Sequence, residues 1–82
     1  MTPTPKLTPA QRRVIDTLKA GGEWYGIDLV HAGAAGRGVI YVHLAELEDA
    51  GMVVSRKEAD SEMGEAPVPR RRYQITEKGK SV

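Results

Sequence analysis

Along these 82 residues the spacing of apolar side chains changes once, at Gly51, and that change restricts the chain to helices first and strands second. Before it, Val14, Ile15 and Leu18 form one stripe at helical spacing, and Ile40, Leu44 and Leu47 recur at i, i+4 and i+7. After it the repeat shortens. Met52-Val53-Val54 leads a strand reaching roughly residue 59, and residues 70–75 read as a second strand across a polar, Gly- and Pro-containing stretch. None of these segments can bury its apolar face alone, so they must close on one shared core.

Local punctuation sharpens the boundaries. Thr8 is a good N-cap, Pro9 fills the first helical position and Gln11 stands three residues after the cap, which together make a capping box. The first helix is expected over residues 9–20, ended by Gly21-Gly22. Glu23-Trp24-Tyr25 is long enough only for a bridge of strand. Ile27, Leu29 and Val30 suggest a second helix over residues 26–34, cut short by Gly33 and Gly36. Residues 32–38 form a turn whose single charge is Arg37, and Gly51 caps the third helix at its C-terminus. The loop between the strands is too long for a tight turn, so a mobile tip is expected. Thr76 can cap one last helical turn. Residues 1–7, rich in Thr and Pro, read as a disordered lead-in to a single domain over residues 8–82. Three helices followed by a β-hairpin is the order of an α+β winged helix-turn-helix, with the second and third helices as the reading pair and the hairpin as the wing.

Composition removes several function classes. A chain this short buries only about 60% of the surface its unfolded form exposes. The absence of cysteine excludes disulfides and thiolate metal sites, and no apolar run approaches the roughly 20 residues of a membrane span. A cytoplasmic protein is expected. The chain offers no nucleophile–base pair, and Gly33-Ala34-Ala35-Gly36-Arg37-Gly38 lacks the Lys-Ser/Thr ending of a phosphate loop, so catalysis is not expected. Neither is a cofactor. His31 and His43 have no matched carboxylate set, which speaks against a metal. Net charge is only +1, but the signs segregate: bases at Arg12-Arg13, Arg56-Lys57 and Arg70-Arg71-Arg72, acids at Glu46-Glu48-Asp49 and along Glu58-Asp60-Glu62-Glu65. Such segregation suits one basic face.

Four segments in order resemble the PadR-like family of winged-helix transcriptional regulators over residues 14–79. Tyr25-Gly26-Ile27-Asp28-Leu29 is similar to the family's opening of the second helix, and Gly38-Val39-Ile40-Tyr41-Val42-His43-Leu44 to the start of its recognition helix. Leu47-Glu48-Asp49-Ala50-Gly51-Met52-Val53 resembles the exit of that helix. Pro69-Arg70-Arg71-Arg72-Tyr73-Gln74-Ile75-Thr76-Glu77-Lys78-Gly79 resembles the far side of its wing. The resemblance implies a DNA-binding regulator. Val39, Val42 and Arg72 depart from the family pattern. The C-terminal helices with which the family dimerises, and sometimes walls a ligand pocket, have no counterpart before Val82, so an effector is not indicated and the mode of dimerisation is open.

A recognition helix reads base edges with its N-terminal residues. Gly38, Val39, Tyr41 and Val42 are therefore the candidates for the major groove, with Val39 and Val42 suited to a thymine methyl. Tyr41 suits a phosphate or, equally, half-buried packing against the wing strands. Arg37 stands beside the helix N-terminus for a phosphate oxygen. Ile40, Leu44 and Leu47 define the inward face, which places Val42, Ala45, Glu46 and Asp49 opposite. Alternation along the second strand sets Arg70, Arg72 and Gln74 on one face and Arg71, Tyr73 and Ile75 on the other, with Tyr73 and Ile75 inward. Arg70 and Arg72, joined across the hairpin by Arg56 or Lys57, then form a basic wing base for the sugar-phosphate backbone; the competing reading is a charged edge strand that resists aggregation. Asp60, Glu62 and Glu65 argue against the tip touching DNA. Trp24 suits core packing beneath the first helix or, alternatively, a small dimer contact. Double-stranded DNA bound by a homodimer is the expected partner, since one small module rarely reaches specific affinity alone. The rival is a winged helix that docks a protein.

Overall fold

The computed structural model describes residues 7–64 and 70–82; the lead-in at 1–6 and the loop at 65–69, with Glu65 and Pro69, lie outside the described residues. The chain runs α1 (Pro9–Leu18), α2 (Gly26–His31), α3 (Ile40–Asp49), β1 (Val53–Lys57), a 3-10 turn (Asp60–Glu62), β2 (Arg71–Ile75) and α4 (Glu77–Lys80). This is a winged helix-turn-helix.

Helix α1 starts where the capping box puts it. The Thr8 hydroxyl accepts the Gln11 N–H at 3.1 Å, and the Gln11 side-chain oxygen accepts the Thr8 N–H at 3.2 Å, so two donors of the first turn are satisfied. The helix stops at Leu18, two residues short of the expected end, in a turn that runs into Gly21 and Gly22 at φ +91° and +80°. Helices α2 and α3 end alike. Gly33 and Gly51 take positive φ, and the following amide reaches back to the helix: Ala34 N–H to Leu29 O, and Met52 N–H to Leu47 O, each at 3.0 Å. Each of these Schellman turns delivers the next residue, Ala34 or Met52, into the core. That geometry ends α2 at His31 rather than at residue 34.

The core joins α1 (Val14, Ile15, Leu18), Leu29 of α2, the inward stripe of α3 (Ile40, Leu44, Leu47), Met52 and Val53. Tyr73 and Ile75 close it from β2. The strands pair antiparallel, Val53 opposite Ile75, Ser55 opposite Tyr73, Arg56 opposite Arg72 and Lys57 opposite Arg71. Trp24 adds a one-residue bridge: its N–H donates to Tyr73 O at 2.9 Å and Tyr73 N–H returns to Trp24 O at 2.8 Å. Its indole N–H donates to Gly21 O, and the ring lies half-buried against the core. Strand β1 ends at Lys57, short of residue 59, because Glu58 turns inward and Asp60–Glu62 begins the 3-10 turn. Among the described residues no helix is long and apolar enough to cross a membrane.

Candidate nucleic-acid interface

Most core stripes leave an outer face polar, but α3 opens with apolar residues in solvent. Val39, Tyr41 and Val42 are 47%, 57% and 55% exposed. Arg37 and Gly38 precede them in the turn from α2, both exposed. The amide of Ile40 bonds back to Gly36 O at 3.0 Å, so the helix is wound from its first residue. The Tyr41 ring leans over Gly26 at the start of α2, where an added Cβ would fall 2.6 Å from the ring. Glycine at position 26 is what lets α2 and α3 approach there.

Further along α3 the character reverses. Glu46 accepts from the buried Gln11 amide, Glu48 accepts from the Ser55 hydroxyl at 2.7 Å, and Asp49 is exposed. The helix IYVHLAELED has no lysine or arginine. His43 is half-buried with its Nδ1 unpartnered, His31 is exposed, and no group of metal-ligating side chains forms among the described residues.

The wing arginines converge, and they do so on carboxylates. The Glu58 side chain has no exposed surface. It accepts the Tyr25 hydroxyl, the Arg70 backbone N–H at 3.2 Å, the Arg70 guanidinium at 3.3 Å and the Arg72 guanidinium at 3.1 Å. The Tyr25 hydroxyl above all, with the two arginines, outweighs desolvation and holds the Glu58 carboxyl down at about 2. The guanidinium carbons of Arg70 and Arg72 sit 4.2 and 5.3 Å from the centre of the Tyr25 ring. One layer out, Arg56 forks onto Glu23 at 2.6 and 2.9 Å and onto Glu62 at 2.7 Å through two nitrogens. Arg56 thereby lowers Glu23 and brings Glu62 down to about 2, and the two carboxylates raise Arg56 in turn. Arg72 reaches both at 3.8 and 3.6 Å. Three guanidiniums and three carboxylates cancel on this face.

The uncompensated wing cations lie on the other face. Lys57 and Arg71 are cross-strand neighbours, exposed, and among the described residues neither has an ion-pair partner. They share the face of Val53, Ser55, Tyr73 and Ile75, one step beyond the Ser55 that bonds to α3. Alternation set Arg71 beside the inward Tyr73 and left it out of the candidate cluster; the β2 face that carries the core simply outruns the core at that point. A signal was present in the spacing of Arg56 and Glu58, which alternate onto one strand face with opposite charges.

No family model matches the chain, and no curated protein matches it. Among solved structures, the chain is similar to BpsR of Bordetella bronchiseptica, solved in a study of how 6-hydroxynicotinic acid regulates that protein's DNA binding. The TM-score is 0.75 at 20% identity, over 96% of this chain and 52% of that one. The chain thus spans about half the length of that protein, and what the two share is the fold.

Proposed function

We propose that this chain is a sequence-specific DNA-binding transcriptional regulator, a repressor that acts by occupying its site as a homodimer in the cytoplasm and without catalysis. The observation that carries this reading is the exposed opening of α3, where Val39, Tyr41 and Val42 stand free beside Arg37. In that arrangement Gly38 lets the turn approach the major groove, Val39 and Val42 meet thymine methyls, and Tyr41 and Arg37 hold phosphates. The DNA binding of the similar BpsR structure and the PadR-like segments of the sequence support it. On the wing, Lys57 and Arg71 supply net positive charge on the α3 side. Arg70, paired with Glu58 alone, reaches the backbone more readily than Arg56, held by Glu23 and Glu62, or Arg72, held by Glu23, Glu58 and Glu62. The outer edge of Trp24 is the proposed contact with the second copy.

The test is fluorescence anisotropy on random-sequence duplex DNA across a salt series, with Lys57→Ala/Arg71→Ala and Arg70→Ala/Arg72→Ala variants. Binding that weakens steeply with salt, with the slope reduced by about 0.9 for each phosphate contact removed, is the expected result. No binding even at low salt overturns the reading.

A second reading has its own observation. The later turns of α3 carry Glu46, Glu48 and Asp49 with no cation, a surface that repels phosphates and suits a basic protein partner. Retention of a cationic protein partner by a chain that ignores DNA selects this reading.

A further inference from the structure

We propose that Gln11 is a positioning residue for the reading helix: through Glu46 it fixes the roll of α3 about its own axis. The proposal rests on the DNA reading above, because it concerns where Val39, Tyr41 and Val42 point.

The inward stripe of α3, Ile40, Leu44 and Leu47, is wholly apolar. Apolar burial holds a helix against its neighbours but is non-directional; direction comes from hydrogen bonds. Among the described residues the side chains of α3 make two such bonds to other elements, Glu46 with Gln11 of α1 and Glu48 with Ser55 of β1. At 3.6 residues per turn the two carboxylates lie on opposite flanks of the stripe. Each flank leads to a reading residue nearer the start of the helix. Val39 stands seven residues before Glu46, and Tyr41 seven before Glu48, a spacing that returns to the same face. A roll of about 20° displaces side-chain tips on a helix roughly 10–12 Å across by about 2 Å. That is enough to lose a hydrogen bond at a base edge.

Of the two tethers, the one through Gln11 is shielded. Glu48 and Ser55 meet in solvent, whereas Gln11 is only 6% exposed. Its amide is oriented from both ends: the oxygen accepts the Thr8 N–H at 3.2 Å, so the nitrogen faces Glu46. An amide donor left unpaired at that depth costs more than the bond itself gives, which keeps the tether closed. The capping box alone does not call for glutamine, since glutamate closes it equally well. Only glutamine also brings a donor, and Glu46 is the acceptor that uses it. The tether thus accounts for an acid on a helix that carries no lysine or arginine.

The experiment compares the full chain with Gln11→Glu and with Gln11→Glu/Glu46→Gln. The single variant keeps the capping acceptor but sets two carboxylates against each other. The double variant exchanges donor and acceptor, restoring the bond at unchanged net charge. The parent chain first selects its preferred duplex from a randomised pool. Each protein is then titrated by anisotropy with that duplex and with random-sequence DNA, and the ratio of the two affinities cancels the change in charge. In Gln11→Glu the ratio should fall at least about tenfold, the loss that one misread base pair brings. In the double variant it should return close to the parent value. Residual dipolar couplings of the free proteins follow the roll directly, because the helical wave they trace along α3 shifts in phase when the helix turns. A shift is expected in the single variant and none in the double. If Gln11→Glu does not fold, Gln11→Met, apolar and of like size, takes its place and should lower the ratio in the same way. A ratio left unmoved by these single variants, or not restored by the double, overturns the proposal. A parent chain that selects no duplex at any salt concentration overturns the DNA reading, and the positioning role falls with it. A parent that selects a duplex which its variants read equally well overturns the positioning role alone.

Discussion

Glu58 ties the second helix to the wing. Its carboxylate is enclosed by Tyr25 from the start of α2 and by Arg70 and Arg72 of the returning strand, so the second helix and the wing do not move apart without breaking one of these hydrogen bonds. A charge removed from water is tolerated only when its oxygens are this fully satisfied. Both Glu58 and Glu62 sit at about 2, below the ordinary 4.5. Over that interval the unfolded chain binds more protons than the folded one. Their contribution to stability is therefore complete above about pH 4.5 and is lost as the pH falls toward about 2. Thermal unfolding followed by circular dichroism should show a melting temperature that drops through this window. In Glu58→Gln the protein should start less stable at neutral pH and lose less on acidification; parallel curves for the two proteins would show that Glu58 does not govern the acid limb. In the sequence only its alternation with Arg56 hinted at this residue. Glu58 stands in a run of acids that reads as solvated surface, and only the inward turn at the end of β1 reveals that it is enclosed. The exposure of Val42, by contrast, was legible, because it follows directly from the Ile40, Leu44 and Leu47 stripe.

At the scale of elements, the helix starts and stops are set by backbone chemistry that a sequence displays openly. Thr8, Pro9 and Gln11 specify the start of α1, and Gly51 specifies the end of α3, since only a residue at ease with φ near +79° closes that turn. The contact between α4 and the hairpin is less visible. Thr76 accepts the Gly79 N–H at 3.1 Å and donates its hydroxyl to Gly51 O at 2.7 Å, pulling α4 onto the exit of α3. Gly79 is there because nothing larger fits: an added Cβ would meet Met52 O at 2.3 Å and Ile75 Cγ1 at 2.7 Å. Gly79→Ala should destabilise by about 1–3 kcal/mol, as overpacking of a close-packed interior does. For a domain of this size that lowers the melting temperature by about 4–8 °C per kcal/mol. Gly36→Ala, where an added Cβ meets nothing within 4 Å, should stay within about 0.5 kcal/mol of the parent. Equal melting points for the two variants would mean that α4 is not held against Met52. The sequence showed that a last turn starts at Thr76 but not what it presses on, because that contact spans from residue 52 to residue 79 and leaves no local periodicity.

The whole molecule uses its charge in two separate ways, and the difference is measurable. A net charge of +1 conceals a compensated face, where Arg56, Arg70 and Arg72 meet Glu23, Glu58 and Glu62, and an uncompensated one, where Lys57 and Arg71 flank the face that carries α3. Alternation along the second strand already set Arg71 apart from Arg70 and Arg72; the register of the hairpin adds that Arg56 joins Arg72 and Lys57 joins Arg71. Each phosphate neutralised by a cation contributes about 0.9 to the slope of log affinity against log salt, with negative sign. If Arg37, Lys57 and Arg71 are the phosphate contacts, the slope should be roughly −3 per chain, and Arg56→Gln should leave it unchanged. If the three paired arginines also leave their carboxylates for DNA, six contacts should give roughly −5 per chain, and Arg56→Gln should make it shallower. The second outcome carries a further requirement. Glu62 would then lose the Arg56 guanidinium that chiefly depresses it, and Glu58 would keep Tyr25 but lose two guanidiniums, so DNA binding would take up protons below about pH 4.5, and the affinity would rise on acidification through that range. Three contacts, by contrast, leave those carboxylates as they are in the free protein, and the affinity stays flat across the same range. The salt slope and the pH dependence must therefore agree, since both count the same guanidiniums.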